Sequence, residues 1–256
     1  MVNPRRPRHY AHSQFTRTVN DETDAAMLAD FCAAQREELH PWEPLSPERQ
    51  PLRDITRARD ALVHERERFT NMLETATGLA RKTFLKQVRH LQRQVKDMDR
   101  AIKQFVNLFP SLKQQVELAD SIPGVALTTA ATVIAELPPI AKVKNAKAAV
   151  ALFGLDPVNK TSGKSVATQP RLSRMGSPRG RKALYMPALT ALKCNPLIRD
   201  LGERLRAQGR TGKYVVVAAM RKLLRLIYGV LKHGKPFDAS WCSQQRQTKA
   251  GALVCA

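Results

Sequence analysis

The tightest constraint on this chain is a run of apolar residues at heptad spacing. Val88, Leu91, Val95, Met98, Ile102 and Phe105 follow one another at alternating steps of three and four. Residues at those steps share one face of an α-helix, and charged residues flank them, which is the seam of a coiled coil. Upstream, Ile55, Ala58, Leu62, Phe69, Leu73 and Ala76 fall on a second helical stripe. Gly78 stands between the two runs, so the pattern predicts a long antiparallel helical hairpin within residues 52–118. Phe109, Leu112 and Val116 continue the count, with Pro110 breaking or restarting the helix. Long helices of this kind hide their seam only against a partner, either the other helix or a second copy of the chain. On the sequence alone the hairpin is a structural spacer.

The flanking segments read differently. Residues 1–19 are basic and irregular, with a short strand at their start. A helix follows from Asp21 to about Leu39, with Asp21 as N-cap, Asp24 one turn on, and Ala25, Leu28, Ala29 and Cys32 as its apolar stripe. Prolines then make a linker of residues 40–51. Residues 119–139, with Ile122-Pro-Gly-Val at the centre, have the pattern of a helix-hairpin-helix. In such a hairpin Gly124 and the first N–H groups of the second helix can hold a phosphate without reading bases; a packed helical turn has the same pattern. A short helix over 146–155 leads into a polar loop over 156–171. Helices over 182–193, 196–207 and 213–232 follow, and a tail begins at Ala239.

Charge locates the partner. The 256 residues carry a net charge of +21, and residues 160–235 hold 18 Lys and Arg against Asp200 and Glu203, which is +16 of that total. A folded surface with such a surplus points to nucleic acid, bound by counterion release and weakened by salt. No run approaches the ~18 apolar residues of a membrane span, and the N-terminus has no apolar signal core. Cys32, Cys194, Cys242 and Cys255 lack metal-finger spacing and read as reduced structural thiols. The expected setting is the cytoplasm of a prokaryote, with nucleoid association.

Several motifs occur in an order that resembles one family. They are Val2-Asn-Pro, Asp21-Glu-Thr-Asp24, Leu28-Ala-Asp-Phe, Ile122-Pro-Gly-Val and Ala148-Ala-Val-Ala-Leu-Phe-Gly-Leu-Asp-Pro. Thr161-Ser-Gly-Lys, Leu172-Ser-Arg-Met-Gly-Ser-Pro-Arg-Gly-Arg-Lys, Asn195-Pro, Leu205-x-x-x-Gly209 and Ala218-Ala-Met-Arg-Lys-Leu-Leu complete the set. Their colinear order resembles the transposases of the insertion sequence 110 family. The resemblance implies an RNA-guided DNA transposase with a composite site. A RuvC-like α/β domain there supplies four acids, Asp-Glu-Asp-Asp, for a divalent metal such as Mg²⁺, and the C-terminal domain supplies a serine nucleophile. Asp21 and Asp24 match the last two acids, and Ser162 matches the serine.

The chemistry of each assignment also stands by itself. Carboxylates at i and i+3 share a helix face and can reach one cation, or they can simply cap the helix. A serine before glycine, between Lys160 and Lys164, can approach a phosphate whose growing charge the cations stabilise, or it can be an ordinary turn. Ser165, Ser173 and Ser177 compete with it. Arg171, Arg174, Arg179, Arg181 and Lys182 complete the expected nucleic-acid surface. The expected architecture is mainly α. It comprises a RuvC-like remnant over 1–45, a coiled-coil hairpin over 46–118, an all-helical basic serine domain over 119–238 and a tail over 239–256. Asn3-Pro4 stands at the start, where the family has two further acids upstream. That position gives the expectation of a truncated enzyme that binds nucleic acid and cleaves poorly. The alternative is a non-catalytic DNA- or RNA-binding protein derived from a transposase. DNA, a guide RNA and a second copy of the chain through the coiled coil are the expected partners, with no membrane.

Overall fold

A computed structural model of the chain describes residues 2, 4–15, 20–39, 46–158 and 171–240, together with the backbone of 161–162 and 166–167. The fold is mainly α, with ten helices and two short antiparallel ladders among the described residues. The chain divides into two units, Met1–Ser46 and Pro47–Ala256.

The first unit contains α1 (Arg5–Ser13) and α2 (Asp21–Ala34). Helix α1 replaces the strand expected at the start. Pro4 is its N-cap and Pro7 falls in its first turn, where no intrahelical N–H donor is needed. Tyr10 meets the buried Phe31 of α2 edge-on, with ring centroids 5.6 Å apart. Arg6 reaches Gln35 at 2.9 Å and Glu38 at 2.6 Å. These contacts fix which face of α2 is covered, so the expected stripe of Ala25, Leu28, Ala29 and Cys32 is exposed instead. The N-cap is also not Asp21. Asn20 Oδ1 accepts from the Thr23 N–H at 2.7 Å and Thr23 Oγ1 accepts from the Asn20 N–H at 3.0 Å, a reciprocal capping box.

The second unit opens with the hairpin, α3 (Arg49–Thr75) and α4 (Gly78–Leu108). Two residues join the helices, and Gly78 takes φ +57°, a left-handed conformation that glycine adopts without strain. Leu91, Val95 and Ile102 are buried along the α4 seam, and Val88, Met98 and Phe105 are half-buried. Phe69 and Phe84 pack near the tip. On α3 the buried residues include Leu52 and Thr56, while Ile55 is half-buried and Ala58 is exposed. The shift arises because α6 (Leu127–Glu136) packs on the base of α3 as well. Arg49 locks that junction from inside. Its Nη1 donates to the carbonyls of Ile134 at 3.0 Å and Leu137 at 2.6 Å, which satisfies the end of α6.

Pro110 restarts the chain as α5 (Pro110–Asp120), and the turn at 121–126 leads into α6. Helix α7 (Ala146–Leu152) is capped by Asn145. The segment expected as a polar loop is a ribbon. Strand β1 (Pro157–Val158) pairs with β4 (Arg171–Leu172), and β2 (Thr161–Ser162) pairs with β3 (Val166–Ala167), both antiparallel. Helix α8 (Pro178–Cys194) starts four residues earlier than expected because Ser177 caps it and Pro178 occupies its first position. Helices α9 (Pro196–Ala207) and α10 (Gly212–His233) follow. Helix α10 is the spine. It packs on α5, α7, α8 and α9, and buries Val215, Ala219, Leu223, Leu224 and Ile227. No described helix is long and apolar enough to cross a membrane. Cys32 and Cys194 are free and exposed and not part of the core; Cys242, Cys255 and the tail beyond Ser240 lie outside the described residues.

Candidate active site and nucleic-acid interface

The β-ribbon carries Ser162. Its two ladders nest, with Pro157 opposite Leu172 and Ser162 opposite Val166, so Ser162 stands toward the closed end of the ribbon. Lys160, Lys164 and Ser165 lie outside the described residues. The other two competing serines are committed elsewhere. Ser173 Oγ donates to Asp156 Oδ1 at 2.6 Å. Ser177 Oγ accepts from the Gly180 N–H at 3.1 Å and donates to Glu136 Oε2 at 3.0 Å.

The root of the ribbon forms one wall of a groove of about 650 Å³, and α9 and α10 form the others. Arg171, Arg204, Lys213, Arg221, Lys222 and Arg225 line it, with no acid among its lining residues. Leu155, Leu172, Leu201, Leu205 and Val217 supply an apolar floor. Tyr214 stands at the wall, about half exposed, with the Arg210 guanidinium 5.3 Å from its ring centre. The Arg221 Nε is buried without a hydrogen-bond partner among the described residues. A cationic channel with an apolar floor and an exposed aromatic suits a strand that offers phosphates and base faces together.

Only Arg171 of the groove belongs to the surface expected from sequence. The missed signal is the spacing of Tyr214, Val217, Ala218, Arg221, Lys222 and Arg225, which fall on one face of α10 at steps of one and three. The remaining expected cations have separate fates. Arg174 and Arg179 are not drawn into the groove, and Arg179 is exposed. Lys182 Nζ pairs with Asp60 Oδ1 at 2.9 Å and so ties α8 to α3. Arg181 turns inward. Its Nη1 donates to the carbonyls of Phe153 at 2.9 Å, Arg174 at 3.3 Å and Gly176 at 3.3 Å, which staples the segment before α8. Burial, and then the nearby Arg174 charge, lower its pKa.

Gly124 has φ +98°, and a Cβ there would come within 2.8 Å of the Cα of Ala191 on α8. Close helix approach therefore requires this glycine, independently of any phosphate. Asn195 braces the same turn. Its Oδ1 caps α9 and its Nδ2 donates to the Pro123 carbonyl at 3.4 Å. Among the described residues no N-cap side chain bonds to α6, so its first N–H groups lack that acceptor.

Asp21 and Asp24 occupy the first turn of α2, and both are exposed. Because Asn20 and Thr23 make the capping box, both carboxylates are left without a hydrogen bond or ion pair among the described residues. Among those residues no third His, Cys, Asp or Glu joins them to make a three-ligand cluster. Mg²⁺ is commonly held by one or two carboxylates with water and substrate phosphates, and two uncommitted carboxylates on one helix face fit that role.

A basic helical domain carrying a serine ribbon, with a paired-acid helix in a separate unit, has the parts of a nucleic-acid-processing protein. Comparison with known proteins makes this specific. Residues 116–203 match the model for the transposase IS116/IS110/IS902 family, and residues 1–77 match one for transposases of the Asp-Glu-Asp-Asp, IS110 type. The pilin gene-inverting proteins of Moraxella bovis and Moraxella lacunata are each 29% identical over 244 residues, spanning 93% of this chain and 74% of theirs. The insertion element IS110 uncharacterized 43.6 kDa protein of Streptomyces coelicolor is 23% identical over 145 residues, 57% of this chain and 36% of its own. The chain belongs to the IS110 family of DNA transposases.

Proposed function

We propose that this transposase cuts and rejoins DNA through Ser162, with the reacting strand laid in the groove between the ribbon root, α9 and α10. The observation that carries the reading is the position of Ser162, on a ribbon rooted in a groove whose charged lining is wholly cationic. The commitment of Ser173 and Ser177 to structural bonds supports the same residue. Serine Oγ would attack a backbone phosphorus. An Oγ–P bond forms, the P–O bond to the leaving deoxyribose oxygen breaks, the serine proton passes to water, and the leaving oxygen gains one. Groove cations would hold the phosphates and offset the added negative charge in the transition state.

Asp21 and Asp24 would hold a divalent cation, Mg²⁺ in this reading, together with water and DNA phosphate. When bound, such a cation would supply Lewis-acid polarisation of a DNA phosphate. The relatives named for pilin gene inversion suggest that the same cut-and-rejoin chemistry can invert a segment as well as move one. A guide RNA and a second copy of the chain complete the reading. The first rests on a cation surplus larger than one groove uses, and the second on Met72, Leu79 and Leu85, which are exposed near the hairpin tip. Nicking of end-labelled DNA tests the core claim. Product should require a divalent cation, disappear in Ser162→Ala and fall sharply in Asp21→Asn/Asp24→Asn. Nicking that survives Ser162→Ala would reject it.

A further inference from the structure

The hairpin carries a second charged feature, on the side turned away from its seam. Lys82, Lys86, Arg89, Arg93, Lys96, Arg100 and Lys103 follow one another on α4 at alternating steps of four and three, and all are exposed. Each lies two positions before a seam residue, from Phe84 to Phe105. At ~100° per residue that offset puts the row on the back of the helix, opposite α3. It runs for ~31 Å at 1.5 Å per residue, with a cation about every 5 Å.

The row is not balanced by acids. Arg100 pairs with Asp97, and Asp99 is drawn to Arg59 of α3. The other six cations have no ion pair among the described residues. Like charges three and four apart weaken a helix, and every step along this row sets two cations at that spacing. Helix stability alone does not explain it. Arg89, Gln92, Arg93 and Lys96 also line a shallow concavity on this face. The row lies between the two stretches that the family models match, 1–77 and 116–203.

We infer that the back of α4 is a docking surface for double-helical DNA, the polymer this transposase family acts on, gripped through its phosphates. The partner must be a polyanion that is straight over ~31 Å. That length spans roughly nine base pairs at ~3.4 Å each, and a duplex is stiff on this scale. A flexible single strand would lose conformational freedom in aligning with a straight row. No aromatic side chain belongs to the row, so it offers unpaired bases nothing to stack on. Phosphate contacts of this kind set position without reading sequence. The hairpin thereby becomes a clamp arm, distinct from the groove at the ribbon root and independent of strand cutting.

The test uses the full chain and a combined Lys86→Gln, Arg89→Gln, Arg93→Gln, Lys96→Gln variant. Affinity is measured against salt for a DNA duplex, an RNA duplex and a single strand of equal length. Each phosphate that the variant no longer neutralises should flatten the salt slope by ~0.9 for duplex DNA. The variant should therefore show a slope smaller by ~2 to 4 and an affinity at least about tenfold weaker at low salt. The change is expected on duplex DNA. A charge-keeping variant, Lys86→Arg, Arg89→Lys, Arg93→Lys, Lys96→Arg, should retain the wild-type slope and thereby separate charge from fold. The slopes are read without any strand cutting, so failure of the Ser162 reading in the nicking assay would be seen separately. Equal slopes for wild type and the Gln variant on duplex DNA, or a change confined to the RNA duplex or to the single strand, would overturn the proposal.

Discussion

Ser177, the N-cap of α8, donates its hydroxyl to the buried carboxylate of Glu136 at the end of α6, at 3.0 Å. The same carboxylate takes Arg57 at 3.0 Å and Arg53 at 3.6 Å from α3. One acid therefore joins the hairpin base to the start of α8, beside the segment that leads from the ribbon.

Burial opposes ionisation of Glu136, but the hydrogen bonds from Arg57 and Ser177 and the charges of Arg57 and Arg53 outweigh it, so its pKa lies below the ordinary value. A depressed carboxyl pKa gives stability that is present above the unfolded value and is lost as pH falls through the folded one. Glu136→Gln should cost about 1–2 kcal/mol at neutral pH, discounted because both arginines are about one-third exposed. Denaturant titrations of both proteins should converge in acid. A gap that stays constant into acid would assign the effect to shape and not to charge.

Gly124 separates packing from phosphate binding. Gly124→Ala places a Cβ against Ala191 at a positive φ, so thermal unfolding should show destabilisation of at least ~1–2 kcal/mol. DNA affinity of the folded fraction should stay near wild type. A large drop in affinity with an unchanged unfolding midpoint would return Gly124 to the phosphate site.

Arg181 and Arg221 should behave oppositely, although both stand in the basic domain. Arg181→Ala leaves three carbonyls without their donor and should lower stability by ~1–3 kcal/mol while sparing the salt slope. Arg221→Gln should flatten the slope by ~0.9 and leave the fold intact. Fluorescence anisotropy across a salt series, paired with melting curves, reads both.

Much of this fold was legible because its signals are periodic. The α4 seam, the break at Gly78 and the restart at Pro110 each followed from residue spacing. Local chemistry with two solutions was harder. Asn20 and Asp21 are both good caps, and only the Thr23 side chain, closing the box, decides between them. The ribbon was hidden because two-residue strands carry no period. The groove was hidden for another reason. Its cations come from β4, α9 and α10, so a count along the chain recorded their charge without their meeting place.

The most direct measurement is a search for the covalent intermediate. The chain is mixed with DNA and a divalent cation, denatured, digested with nuclease and protease, and its peptides are mapped by mass spectrometry. A nucleotide phosphodiester on the peptide containing Ser162, absent in Ser162→Ala and reduced in Asp21→Asn/Asp24→Asn, is the expected result. Cleaved DNA with no adduct, or an adduct on Ser173 or Ser177, would contradict the assignment of Ser162 as nucleophile.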